Sequence, residues 1–252
     1  MPEAHPHRQS PHRHVPLQKA MPMLLSFIAG YVDSYTYLAL FGLFAAQVTG
    51  SFVIAGAELV RHDVGVAGKL LAIVAFVVAA AITAALIALA RERGHAPMPW
   101  MLALEAVLLA AFVGIVLLGP NVQSAADWHG IVAGLFAACA MGTQSVLVRL
   151  LMKGIPQTNV MTGNMTQLGI AITDIIVARR RFSRSSRDMA AVAHYHAVRD
   201  QLLVVLSVAA GFLIGAAAGA VAFVAIGISG ALLSVALVVA LALWTRARGD
   251  AA

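Results

Sequence analysis

The sequence predicts an all-α membrane protein: a polytopic bundle of about six full spans with two short broken or half-spanning helices, arranged as two inverted internal repeats. Hydrophobic residues make up 61% of the chain and charged residues 11%, against about 45–50% and 25% in soluble domains. The uncharged runs 70–90 and 202–226 each reach the roughly 20 residues that a spanning helix needs. A soluble helix would have a polar face, which these runs lack.

The chain opens with a polar segment, residues 1–20, that we expect to be a disordered cytoplasmic tail because it is rich in proline and carries no apolar run. Its four histidines admit a metal-binding interpretation. However, no carboxylate or cysteine cluster completes such a site, so we expect neither a metal nor a cofactor.

The remaining elements follow from hydropathy. The tail is followed by repeat 1 over 21–118 and repeat 2 over 128–246, and a short C-terminal tail covers 247–252. Full spans are expected at about 22–41, 68–90, 99–118, 129–151, 201–226 and 229–246. Two shorter segments, 46–60 and 160–178, are apolar but rich in Thr, Gly, Ser and Gln, and whether they cross the membrane stays open.

The prediction of two repeats depends on two stretches of sequence that share one pattern of residues, which we call the template. The first contains Gly30-Tyr31-Val32-Asp33 and Val48-Thr49-Gly50-Ser51, and the second contains Gly142-Thr143-Gln144-Ser145 and Met161-Thr162-Gly163-Asn164. Their glycines are spaced by 12, 8 and 6 residues in the first copy and by 12, 9 and 6 in the second. Duplicated units are typical of transporters whose binding site lies where the repeats meet.

The distribution of charge favours six spans over eight. With six, 15 of the 17 Lys and Arg residues are cytoplasmic, whereas eight spans leave 13 there, and cytoplasmic loops carry the excess of positive charge. Three full spans per repeat would place the copies in opposite orientations, with both termini in the cytoplasm. The arginines of a basic cytoplasmic loop at 179–200 also explain the net charge of +6 without nucleic acid, and they suit contact with anionic lipid.

Asp33 is the most deeply placed ionisable residue. Ser26, Gly30 and Tyr37 share its helical face, so this polar stripe is expected to face the protein interior. One interpretation makes Asp33 a proton or cation site or a contact for a polar substrate, because a charge in the bilayer is costly. The other makes it a hydrogen-bonding link between helices. The sequence leaves both open.

The two Thr-Gly motifs and the matching stripe of the second copy complete the candidate binding residues. A helix N-terminus has unpaired N–H groups and partial positive charge, so the two ends could converge on a polar ligand, or their glycines could serve only close packing. The candidate substrate- or ion-binding residues are Asp33, Tyr37, Thr49, Gly50, Ser51, Gln144, Ser145, Thr162, Gly163 and Asn164.

The remaining acidic residues and one glycine face have structural interpretations. Glu105 is expected to reach the interface by snorkelling, with a functional role as the alternative. Glu58, Asp63 and Asp174 lie near predicted span ends and are expected to be solvated. The small-residue face of Gly211, Gly215 and Gly219 predicts close helix packing, within one protomer or in a homodimer.

The quoted motifs, together with Gly42-Leu43-Phe44, resemble the YoaK family (DUF1275) of bacterial integral membrane proteins over about residues 22–246. The family usually has Thr-Gly-Asn in the first repeat, where this chain has Ser51 in place of Asn. The resemblance implies a bacterial cytoplasmic (inner) membrane protein and a small-molecule transporter role, and it supplies no substrate.

These observations predict a secondary transporter or facilitator of a small polar metabolite or ion, with coupling through Asp33 as one hypothesis. The alternatives are a membrane-embedded enzyme acting on a lipid or quinone, and a non-transporting scaffold. No metal-ligand motif, nucleophile elbow or phosphate-binding loop is present, so we expect no catalytic residues and no enzyme. The expected partners are the lipid bilayer and an unidentified small molecule.

Overall fold

The computed structural model describes residues 16–184 and 189–249, which fold entirely as helices and connecting turns. The elements in chain order are α1 (Pro16–Ala39), α2 (Val48–Arg61), α3 (Val66–Glu92), α4 (Pro97–Leu118), α5 (Trp128–Leu151), α6 (Met161–Arg184), α7 (Met189–Ile226), a 3₁₀ turn (Gly227–Ala231) and α8 (Leu232–Gly249). The predicted all-α class is therefore confirmed.

Four segments in the described part of the chain are long and apolar enough to cross a membrane. They are α3, α4, α5 and the stretch Met189–Ala247, which contains α7, the 3₁₀ turn and most of α8. Helix α1 has 24 residues, about 36 Å at 1.5 Å per residue, but its polar residues lower its hydropathy. Several apolar helices thus indicate a membrane protein, and the count of six full spans stays a prediction.

The boundaries of the elements differ from expectation at both polar segments. Residues 16–20, expected in the N-terminal tail, already belong to α1, and residues 1–15 lie outside the described part of the chain. The expected loop at 179–200 is largely helical, because α6 continues to Arg184 and α7 begins at Met189. With 38 residues, α7 is about 57 Å long, nearly twice the thickness of a hydrocarbon core.

Helices α1 and α7 run parallel in close contact through glycines. Gly211, Gly215 and Gly219 of α7 lie directly against the backbone of Met23, Phe27 and Tyr31 of α1. Gly30 of α1 is equally close to the carbonyl of Phe212. A side chain at these positions would collide with main-chain atoms, so the predicted small-residue face serves packing within one chain. The homodimer stays a prediction, and it would need another surface.

Helices α5 and α3 form a second parallel pair of the same kind. A Cβ atom on Gly142 would lie 2.6 Å from the carbonyl oxygen of Phe76, and the Cys139 thiol donates to the carbonyl of Ala75 at 3.6 Å. Gly142 and Gly30 hold the same place in the duplicated template. Each therefore contacts the third helix of the other copy.

Helices α1 and α5 run antiparallel. The Gln144 amide donates to the Leu25 carbonyl at 2.9 Å, while Gly134, ten residues earlier on α5, faces Leu40 and Leu43 beyond the other end of α1. The two matching helices of the template thus point in opposite directions.

After α1 and again after α5, the chain folds back alongside the helix that it has just left. We call residues 40–47 the first loop and residues 152–160 the second loop. Gly42 and Gly154, at matching template positions, have φ angles of 83° and 78°, which favour glycine. Each loop returns toward the middle of the bundle before α2 or α6 begins.

The 3₁₀ turn between α7 and α8 is held by the two tyrosines that flank Asp33. Tyr31 Oη donates to the Gly230 carbonyl at 2.6 Å, and Tyr35 Oη donates to the Gly227 carbonyl. Both phenol rings are buried. Helix α1 is therefore fixed to α7 and the 3₁₀ turn along most of its length.

Candidate solute-binding region

Asp33 anchors the first loop to α1. Its Oδ1 accepts the N–H of Ala46 at 2.6 Å, and its Oδ2 accepts the N–H of Gln47 at 3.0 Å. Only 2% of the residue is exposed. Backbone N–H groups stabilise the charged form of a buried carboxylate, and the positive end of α2 begins at the next residue, Val48. This geometry supports the interpretation of Asp33 as a structural link.

The residue after each Thr-Gly pair makes the same contact in both copies. Ser51 Oγ donates to the carbonyl of Phe44 at 3.0 Å, and Asn164 Nδ2 donates to the carbonyl of Gln157 at 2.6 Å. Both contacts span seven residues, and both side chains are buried. Each residue therefore ties the start of its helix to the loop before it. The serine that replaces asparagine in the first copy keeps this contact.

The second loop is anchored by buried polar contacts that involve α1, α5 and α7. Gln144 Nε2 donates to Thr158 Oγ1 at 2.8 Å as well as to Leu25. Ser26 Oγ lies 3.0 Å from the Thr158 carbonyl and 2.7 Å from the Val208 carbonyl. The amide oxygen of Gln144 is buried without a hydrogen-bond partner. We call Ser26, Gln144, Thr158 and Asn159 the second-loop cluster.

Ser145 occupies the template position of Asp33, but its contacts are weaker. Its hydroxyl lies 3.5 Å from Gln157 Oε1 and 3.4 Å from Asn159 Oδ1, both at the long limit for a hydrogen bond. The end of the second loop thus lacks the carboxylate that neutralises the N-terminus of α2, and the N-terminus of α6 keeps its partial positive charge.

The ends of the two loops approach the middle of α1 from opposite directions. The first meets α1 at Asp33 and the second at Ser26, a separation of seven residues or about 10 Å along the helix. Within the described ranges, no hydrogen bond joins the two loops. The two loop ends therefore do not meet each other, and each contacts α1 at a different level, at Asp33 or at Ser26.

Several predicted site residues lie away from these buried contacts. Tyr37 is 43% exposed and packs against Phe44 with 5.0 Å between ring centroids, so the prediction that it faces the interior is wrong. It lies two residues before the end of α1, where few neighbours remain to cover it. Thr49, Thr162 and Gly163 are exposed, and Gly50 is half-buried against Phe44.

The ion pair between Lys69 and Glu58 was not predicted from the sequence. Lys69 Nζ lies 2.7 Å from Glu58 Oε1 and donates to the Phe41 carbonyl at 3.2 Å, with only 1% of Lys69 exposed. The expectation that Glu58 is solvated is wrong, whereas Asp63 and Asp174 are exposed. Both residues lie near helix ends, where sequence patterns suggest solvent. The folded-back first loop and residues 122–131 help to cover their side chains.

The position of Glu105 also differs from the prediction. It is fully buried on α4, and neither carboxylate oxygen has a hydrogen-bond partner. The predicted snorkelling to the interface is therefore wrong. An acid without a hydrogen-bond partner inside an apolar helix is costly to bury.

The fold and these contacts define an all-helical membrane-type protein with two folded-back loops, each anchored by buried polar side chains. The chain belongs to the family described as protein of unknown function (DUF1275), whose model matches residues 21–245. The predicted membership is thus confirmed. No curated protein and no solved structure matches the chain. Among the described residues, no group of three or more His, Cys, Asp or Glu side chains is placed to hold a metal ion.

Proposed function

We propose that this protein is a secondary transporter or facilitator of a small polar solute in the bacterial cytoplasmic membrane, with both termini in the cytoplasm. One observation carries the proposal: two folded-back loops enter the bundle from opposite ends, and each starts a helix at its inner end. Discontinuous helices of this kind, supplied by inverted repeats, form the substrate sites of several transporter folds.

The inverted repeats are part of this proposal. Helices α1 and α5 match in the template and run antiparallel, and their glycines contact α7 and α3, which also match. A two-fold axis in the membrane plane would produce this exchange of partners. Six full spans follow if α2 and α6 each begin inside the membrane.

The second-loop cluster is the better candidate for the solute. The carboxyl group of Asp33 already accepts the N–H groups at the first loop. Beside the second loop, the amide oxygen of Gln144 on α5 is unpartnered, and the first turn of α6 has no acidic residue. A neutral or anionic solute with hydroxyl or amide groups suits these donors and acceptors. Rearrangement of α5 against α1 would open the cluster.

Flux into proteoliposomes across a panel of metabolites tests the proposal. We expect at least one small polar solute to enter, and Gln144→Leu to abolish its flux while the protein still elutes as a single folded species. Thr166→Ala is the matched control, because Thr166 is exposed and bonds only within α6. Flux of no solute, with turnover of an added lipid or quinone, would favour the membrane enzyme instead.

Topology is tested by labelling single cysteines in a Cys139→Ala background. Val64 and Lys153 are exposed, and the six-span arrangement places them on the periplasmic and cytoplasmic sides. A membrane-impermeant thiol reagent should therefore label Val64→Cys in intact cells, and Lys153→Cys only after permeabilisation. The reverse pattern would exclude six spans.

A further inference from the structure

Glu105 is a buried acid without a hydrogen-bond partner on its own helix or on a neighbouring one. Both of its carboxylate oxygens are buried and without a hydrogen-bond partner, and its exposure is 0%. Buried polar groups in folded proteins are nearly always paired, so an exception needs an explanation. An ionised carboxylate without a partner is far more costly to bury than a neutral one.

The depth of Glu105 follows from the packing of α4 against α5. Gly119, just after α4, lies beside His129 near the start of α5, so the two helices are antiparallel. Moving 14 residues back from Gly119 reaches Glu105, and moving 14 residues on from His129 reaches Thr143. Glu105 therefore lies at the level of Thr143 and Gln144, the residue with the unpartnered amide oxygen.

No described charge compensates Glu105 at that level. The elements packed against α4 are α3, α5, α8 and the 3₁₀ turn, and the 3₁₀ turn has no titratable side chain. On α3, Lys69 is paired with Glu58, and Arg91 donates to the Leu150 carbonyl at 2.8 Å near the helix end. The other titratable or charged side chains described on these helices are Glu92, His129, Cys139, Arg149 and Arg246.

Four of these side chains lie near helix ends: Glu92, His129, Arg149 and Arg246. The fifth, the Cys139 thiol, donates to the Ala75 carbonyl. Glu105 in this conformation therefore has no partner that would stabilise a charged carboxylate. The contacts of Asp33 differ, because both of its oxygens accept backbone N–H groups. The two buried acids thus lie in different hydrogen-bonding environments.

We propose that Glu105 is the proton-binding group of this protein. It is shielded from water in the present conformation, and it exchanges its proton when α4 and α5 separate. In that step the O–H bond of the acid breaks, the proton passes to water on one side of the membrane, and the carboxylate later takes a proton from water on the other side. Only its use in coupling rests on the proposed transport function.

Infrared spectroscopy of the full-length protein in lipid tests the protonation directly. We expect the C=O stretching band of a protonated carboxylic acid at neutral pH, retained in Asp33→Asn and absent in the Asp33→Asn/Glu105→Gln double variant. Glu105→Gln keeps the size and neutrality of the acid, so it should fold, and elution as a single species verifies this. A wild-type spectrum without the band, or a band that is as strong in the Asp33→Asn/Glu105→Gln double variant as in Asp33→Asn, would overturn the proposal.

Flux measurements then test coupling. An inward proton gradient should accelerate solute entry in wild-type proteoliposomes and have no effect in Glu105→Gln, while Glu105→Asp should keep part of the response. An unchanged gradient response in Glu105→Gln would refute coupling through Glu105 and leave transport standing. If wild-type protein moves no solute, the transport proposal fails, and the infrared band alone decides whether Glu105 holds a proton.

Discussion

Replacement of Asp33 by asparagine should destabilise the protein through the first loop. The carboxylate accepts two backbone N–H groups, from Ala46 at 2.6 Å and Gln47 at 3.0 Å. An asparagine side chain has one acceptor oxygen, and its NH₂ group would face the other N–H whichever way the amide is turned. One charge-assisted bond is lost, and the other becomes a neutral bond of about half its strength.

The expected loss is about 2–4 kcal/mol, because hydrogen bonds to charged groups are worth about 1.5–3 kcal/mol each. For a chain of this size, that corresponds to a fall of roughly 5–15 °C in Tm. The measurement is intrinsic-fluorescence melting of purified protein in one detergent. Asp33→Ala should cost more, because it leaves both N–H groups buried and unpaired.

Ser145→Ala is the matched control, since Ser145 holds the same template position and its contacts are 3.4–3.5 Å long. We expect it to stay within about 0.5 kcal/mol of wild type. A Tm of Asp33→Asn equal to or above that of wild type would refute the anchoring role. A group that only binds a proton or cation predicts that outcome, because removal of a buried charge relieves its desolvation cost.

Two further predictions concern helix packing and the ion pair. Gly215→Ala should prevent close contact between α1 and α7 and cost about 3 kcal/mol or more, whereas Gly114→Ala, with open space around it, should be neutral or stabilising by up to about 1 kcal/mol; equal melting temperatures would contradict the packing. Lys69→Met should cost about 3–5 kcal/mol by leaving Glu58 unpaired, and the added Glu58→Gln change should recover part of it. A double-mutant cycle without coupling energy would show that the pair contributes nothing.

Much of the fold was predictable from local residue patterns. Each Thr-Gly motif marks a helix start to within one residue, since α2 begins at Val48 and α6 at Met161. The template glycines Gly42 and Gly154 both have positive φ, as turn glycines should. The burial of Ser26 and Asp33 on one face of α1 followed from helical periodicity, although Tyr37 on the same predicted stripe is exposed.

What the sequence could not supply is which helices meet. Periodicity predicted a packing face at Gly215 without naming α1 as its partner, 185 residues away from Gly30 on the chain. The burial of Glu105 depends on such distant neighbours, so it was expected to reach the interface. No residue pattern marked Lys69 as the partner of Glu58. The partners of Asp33 are backbone groups of a folded-back loop, and no residue pattern encodes a backbone donor.

The exchange of partners between the copies has a consequence for biosynthesis. At about 5–20 residues per second, a ribosome needs roughly 10–40 s to proceed from Gly30 to Gly215. During that interval α1 has no permanent neighbour for its glycine and serine face, so a nascent first half is incomplete however well its own helices insert. The second half is equally incomplete alone, because Gly142 needs α3. The two halves therefore mature together, and a gene encoding either one would yield an unassembled product.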